Sequence, residues 1–195
     1  MIILAAGLAT QAAAPAQQRI TKADADRFQA KLVRIVQFGE AKPPRGAKPV
    51  STPLTDTEVN SYLRFHAADQ IPVGVLEPTL QAAGAGRVSG RAVVDLDAVR
   101  KQKERGWLDP LGYLTGRLPV TATGRLTTSG GRGQFQLESA EISGVTIPKA
   151  VLQELLSYYS RSPEKPSGID MDAPFELPSR IREIRVATGT ATVVQ

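Results

Sequence analysis

The hydrophobic period of the chain changes near residue 75, and this change constrains the fold more than any other feature. Before that point, apolar residues recur at the three- and four-residue spacing of amphipathic helices. After it, they alternate with polar residues, which is typical of strands that bury one face. The turns between these strands are too short for parallel crossovers. The sequence therefore predicts an α+β fold in which a curved antiparallel sheet wraps around one or two long amphipathic helices.

Two segments in the N-terminal third carry the helical pattern. The first covers residues 21–38, with apolar residues on one face and charges on the other. Residues 41–53 follow with four prolines, so we expect an extended linker and not a packed element. The second helix opens at Thr55 with the spacing of a capping box, in which Thr55 and Glu58 each bond the other's backbone N–H. Val59 and Leu63 then fall on its apolar face.

A third helix is predicted after Pro148, which suits the first helical position because its missing N–H needs no partner there. The apolar stripe of this helix is wide and has to be covered by something large. It consists of Val151, Leu152, Leu155, Leu156 and Tyr159. Strands are expected before and after this helix, in residues 76–82, 87–96, 118–128, 134–142 and 180–195.

Residues 106–116 concentrate apolar and aromatic side chains between two glycines and contain the one tryptophan of the chain. Two interpretations of Trp107 and Leu111 remain open. In the first, they pack against the core. In the second, they form a functional apolar element, which is either a rim or lid beside a lipid pocket or a tip that dips into a membrane surface.

The N-terminus has the pattern of an export signal. An apolar run at residues 1–9 is followed by an alanine-rich stretch, and Ala14-Pro15-Ala16 has the small-x-small form that signal peptidases accept. The run is shorter than the roughly 20 residues of a membrane span. A disordered alanine-rich tail is the alternative. We expect a signal remnant at 1–16, a helix with its linker at 17–53, and one binding domain at 54–195.

Composition narrows the chemistry. The chain has no cysteine, so thiol catalysis and disulfides are excluded and we expect no lipoprotein anchor. Its one histidine, His66, cannot form a multi-histidine metal site. No G-x-S-x-G elbow is present, and Asp95 and Asp97 are better explained by a strand-end turn than by a metal pair. The net charge of +5 suits anionic lipid headgroups, but the basic residues are scattered, so nucleic acid is not an expected partner. We expect no catalysis, cofactor or metal.

Two parts of the sequence resemble known proteins. Residues 54–63 (LTDTEVNSYL) are similar to a helix opening found in exported lipid-binding-like domains. Residues 141–159 (EISGVTIPKAVLQELLSYY) and 175–194 (FELPSRIREIRVATGTATVV) resemble the C-terminal half of bacterial LmeA-like phospholipid-binding proteins. These proteins are half-barrel relatives of the tubular lipid-binding (TULIP) superfamily.

The resemblance implies a periplasmic or secreted protein that binds a lipid or another hydrophobic ligand in a groove between helix and sheet. The side chains expected to line that groove are Val59, Leu63, Trp107, Leu111, Val151, Leu152, Leu155 and Leu156. A membrane surface is a further candidate partner. The alternative is an envelope structural or protein-interaction module with a fully packed core and no small-molecule ligand.

Overall fold

The computed structural model describes residues 19–41, 48–101, 115–163 and 165–195. Within these ranges, a short 3₁₀ helix covers Ala68–Gln70. In chain order the other elements are α1 (Lys22–Glu40), β1 (Ser51–Thr55), α2 (Asp56–Phe65), β2 (Val75–Gly84), β3 (Arg87–Asp95), α3 (Leu96–Lys101), β4 (Arg117–Ser129), β5 (Arg132–Ile142), β6 (Val145–Thr146), α4 (Lys149–Ser160), β7 (Phe175–Glu176), β8 (Glu183–Ala187) and β9 (Thr190–Val194).

These strands form two antiparallel sheets. The smaller one has the order β1-β9-β8, and the larger one has the order β2-β3-β4-β5-β6, with β7 paired to β5. Each pair of neighbouring strands is antiparallel, as the short turns require. The predicted α+β class with antiparallel pairing is confirmed. The helices α1, α2 and α4 lie where the hydrophobic period predicted them.

The capping box at the start of α2 is confirmed in both directions. The backbone N–H of Glu58 donates to the Thr55 hydroxyl at 3.2 Å, and the Thr55 N–H donates to a Glu58 carboxylate oxygen at 3.0 Å. At the start of α1, the Thr21 hydroxyl accepts from the N–H of Asp24 in the same way. Such caps satisfy backbone donors that have no partner inside the helix.

The prediction that residues 41–53 form an unpacked linker is wrong at the C-terminal end of that range. Residues 51–53 belong to β1, which pairs with β9 and buries Thr52. Buried and exposed side chains alternate along this segment as they do in a strand: Thr52 and Leu54 face the core and Pro53 faces outward. Since β1 is an edge strand, Pro53 can lie in it with no cost to a ladder hydrogen bond on the open side.

The tightly packed core lies between the first two helices and the small sheet. It is formed by Phe28, Ile35, Leu54, Leu177, Ile181 and Val193. The Tyr62 ring packs on Phe28 at a centroid distance of 5.0 Å. Helix α1 thus shares one core with strands from the other end of the chain.

The large sheet has one apolar and one polar face. On β3 and β4, Val88, Ala92 and Val94 lie beside Gly124, Val120 and Leu118 and share the apolar face. Most of these side chains are only half-buried, while Gly124 is buried where the Phe135 ring crosses it. The opposite face carries arginines, threonines and glutamines. This division follows directly from the two-residue alternation of the sequence.

Candidate ligand-binding site

The structure places the residues predicted to bind ligand in different surroundings. Leu63 lines a cavity between α2 and β2. Val59 packs against the tight core. Trp107 and Leu111 lie outside the described residues. The four residues on α4 lie beside the large sheet and do not line the cavity of Leu63: Leu152, Leu155 and Leu156 are half-buried, and Val151 is 44% exposed.

Helix α2 is joined to the edge of β2 by polar side chains spaced four residues apart. A carboxylate oxygen of Asp56 accepts from the Ala82 N–H at 3.0 Å. The Asn60 side chain accepts from the Leu80 N–H at 2.7 Å and donates to the Leu80 carbonyl at 2.8 Å. Four helical residues rise about 6 Å and two strand residues about 6.6 Å, so the two repeats match. Both side chains are buried.

This pattern of contacts, in which every fourth residue of α2 meets every second residue of β2, ends beside a cavity. It would bring Arg64 to Pro78, which has no N–H to donate. The pairing of β2 with β3 also shifts there: Leu76 pairs with Val93 and Thr79 with Arg91, so two residues of β2 oppose one of β3. Such a bulge bends the strand. Glu77, in the bulge, has a φ of 48°, a strained conformation for a side chain of this type.

The opening, which we call the apolar cavity, has a volume of about 570 Å³. It lies between the end of α2, the loop that follows, and the start of β2. Most of its lining is apolar and includes Leu63, Ile71, Pro72, Val73, Val75 and Leu76, with Arg64 and Glu77 as its charged members.

A second depression adjoins the first along β2 and β3. It has a volume of about 430 Å³ and shares Ile20, Asn60 and Thr79 with the apolar cavity. Its remaining lining residues are Leu80, Gln81, Ser89 and Arg91. We call it the polar cavity, because three of these four carry hydrogen-bonding or charged groups. Together the two cavities form a site with an apolar end and a polar end.

A carboxylate near the start of α2 links this helix to α1. Lys31 Nζ lies 2.7 Å from both carboxylate oxygens of Glu58 and also donates to the Pro53 carbonyl. Burial acts to raise the pKa of Glu58, but the bonds from Lys31 and from the Thr55 backbone outweigh it and hold the pKa below its usual value. The Glu58 side chain is only 8% exposed. Its charge therefore helps to hold α2 against α1.

The other candidate polar groups have structural partners. His66 Nε2 lies 2.6 Å from Asp26 Oδ1, so it ties the end of α2 to α1. Asp95 ends β3 and accepts from the Ala98 N–H at the start of α3, as the predicted turn requires. This bond and the Arg117 guanidinium lower the pKa of Asp95. Within the ranges that the structure describes, no three metal-ligating side chains cluster.

The sequence did not reveal Asp56 and Asn60, which join α2 to β2 and which we call the clamp, or Arg91 in the polar cavity. Asp56 and Asn60 are short polar residues four apart on α2, and this spacing, which puts them on one face of the helix, is a signal that could have been used. Pro78 inside a strand pattern was a second signal, since a proline there indicates an edge or a bulge. Nothing in the local sequence distinguishes Arg91 from the other arginines, because its distinction depends on its neighbours in the sheet.

Comparisons with known proteins establish no family. No family model matches the chain, and a search of curated proteins finds no match. A solved structure described as a lipopolysaccharide binding protein is 14% identical, covers 80% of this chain and 45% of that chain, and gives a TM-score of 0.23. The chain thus spans less than half the length of that protein, and a likeness of this size carries no argument about function. None of the described helices combines the length and apolarity needed to cross a bilayer.

Proposed function

We propose that this protein binds a hydrophobic ligand between α2 and β2 and leaves it chemically unchanged. The observation that carries the proposal is the apolar cavity of about 570 Å³. Small-molecule sites have volumes of about 300–1,000 Å³ and combine apolar walls with few polar groups. The apolar cavity has both properties. Leu63, which the apolar pattern of α2 marked, is part of its wall.

The size of the cavity suits one acyl chain or a ligand of similar bulk. Burial of ten methylenes would supply about 8 kcal/mol before the costs of association. Such a gain is enough to take a hydrophobic molecule out of water. A lipid or another hydrophobic small molecule is therefore the partner that the site favours.

Binding without catalysis is supported by what the polar groups of α2 and of the residue that follows it do. Asp56 and Asn60 bond the backbone of β2, and the ring of His66 is paired with Asp26. These side chains hold elements together, which is a structural use of groups that could otherwise act as acids or bases. We also propose export to the periplasm or the outside of the cell, on the strength of the signal-like pattern at residues 1–16.

A second candidate function is an envelope protein-interaction module. The observation in its favour is the apolar surface around β6 and α4, where Val145 is 64% exposed and Val151 is 44% exposed. Exposed apolar side chains can mark contact surfaces in soluble proteins when they form one patch. A protein partner that covers this surface would leave the apolar cavity unaffected, so the two functions can be separated.

The test is a pair of matched valine variants. Val73 lines the apolar cavity and is 53% exposed, while Val33 on α1 is 48% exposed and does not line it. Val73→Glu places a carboxylate in the cavity at little cost to folding, because the position is open to solvent. Binding of an uncharged naphthylamine dye, followed by its fluorescence, should weaken about ten-fold or more in Val73→Glu. Val33→Glu should bind as the unmodified protein does.

Two results would contradict the proposal. The unmodified protein could fail to enhance the fluorescence of the dye, or both variants could bind it equally well. Thermal unfolding of the two variants shows whether either change has disturbed the fold. Equal melting temperatures would make the comparison of dye affinities direct.

A further inference from the structure

Charged side chains are distributed unequally between the two cavities. In the apolar cavity, the described charged lining residues are Arg64 and Glu77, one of each sign. In the polar cavity, Arg91 is the one charged side chain among the described lining residues. Among the described residues, none forms an ion pair with its side chain.

The other arginines of β3 and β4 show how unusual this is. Arg87, Arg91, Arg117 and Arg125 all lie on the polar face of the large sheet. Arg87 and Arg125 share Glu138, at 2.8 and 3.5 Å, and Arg117 binds Asp95 at 3.2 Å. Arg91 pairs across the sheet with Thr121, and Glu141 is one further strand away. Neither Glu141 nor Glu77, which lies in the bulge of β2 two residues before the partner of Arg91, forms an ion pair with Arg91.

We infer that Arg91 binds the anionic head group of a single-chain amphiphile whose apolar chain occupies the apolar cavity. The inference rests on the proposed function and adds the charge and the orientation of the ligand. Thr79 and Ser89 also line this cavity. The Ser89 hydroxyl accepts from Thr123 and the Thr79 hydroxyl donates to the Arg91 carbonyl, so Ser89 can still donate to a head group and Thr79 can still accept from one. A guanidinium is suited to carboxylate and phosphate because its donors lie in one plane.

Calorimetric titration with three probes tests this orientation. Dodecyl phosphate has the chain and the anion, dodecyl maltoside has the same chain with no charge, and inorganic phosphate has the anion alone. Each amphiphile is kept below its micelle concentration. The proteins compared are the unmodified chain, Arg91→Gln, and the control Arg34→Gln, which removes the same charge from the exposed surface of α1 about 14 residues, or roughly 21 Å, beyond Ile20.

Dodecyl phosphate should bind more tightly than dodecyl maltoside, and Arg91→Gln should weaken only dodecyl phosphate, by about ten-fold. Arg34→Gln should change neither affinity. Equal weakening by the two glutamine variants would overturn the inference, since it would reflect net charge alone. Inorganic phosphate that binds as tightly as dodecyl phosphate would also overturn it, because the site would then take a free anion.

The two proposals fail in different ways. If both amphiphiles bind with equal affinity and Arg91→Gln has no effect, the apolar cavity binds ligand and the assignment of Arg91 is wrong. If neither amphiphile binds, the proposed function is wrong and the assignment falls with it.

Discussion

Single polar side chains decide how α2 is held against its neighbours. Glu58 completes a capping box and receives Lys31 from α1, while the Ser61 hydroxyl, which is fully buried, accepts from the Thr21 N–H at 3.2 Å. Buried groups of this kind cost free energy when they lose a partner. In the described residues, each buried side-chain polar atom has one. The position of α2 is thus fixed by hydrogen bonds as well as by apolar packing.

The pair of Glu58 and Lys31 should make folding stability depend on pH. Because the folded-state pKa of Glu58 is lowered, its stabilisation is complete above the unfolded pKa of about 4.3 and is lost as the pH falls through the folded-state pKa. Glu58→Gln keeps a capping side chain but removes the charge. It should lower the free energy of unfolding by about 2 kcal/mol at neutral pH and by less in acid.

Urea unfolding at several pH values measures this difference. Glu154→Gln, an exposed position on α4, is the matched control and should shift the unfolding midpoint little at any pH. A cost of Glu58→Gln that stays constant down to acid pH would show that the ion pair does not titrate as described.

At the scale of elements, the contact of α2 with β2 determines where the cavities lie. The match between four helical residues and two strand residues holds for Asp56 and Asn60 and ends at Pro78. The elements themselves were predictable, because caps and hydrophobic periods are local signals. The contact was not, since it depends on which residues of a distant strand face the helix. For the same reason β1 was mistaken for linker: its partner, β9, lies at the other end of the chain.

Asn60→Ala should weaken the contact of α2 with β2 at Leu80 and leave the contact at Ala82 intact. It leaves the Leu80 N–H and carbonyl without their side-chain partners, at a cost of about 1–3 kcal/mol. Hydrogen exchange should become faster at the Leu80 amide, while the Ala82 amide, held by Asp56, keeps its protection. Equal acceleration at both amides would mean that α2 and β2 separate as a unit, and the stepwise clamp would be wrong.

On the scale of the whole molecule, the strands divide into two sheets with different kinds of packing. The small sheet and the first two helices enclose the tight core, while the apolar face of the large sheet stays half-buried. The sequence predicted the antiparallel class but not this division, because alternation shows that a face is apolar and does not show what covers it. It also placed Val59 and Leu63 in one groove with α4, whereas the structure separates the surroundings of these residues.

Both proposals depend on the ligand binding between α2 and β2. The most direct test is an NMR titration of the isotopically labelled protein with dodecyl phosphate, in which the backbone amide shifts are followed residue by residue. We expect the largest shifts at Leu63, Arg64 and Ala68, in residues 71–79 and at Arg91, which line the two cavities. Shifts confined to α4 and the apolar face of β3 to β5 would contradict it and would place the ligand in the groove that the sequence resemblance implies.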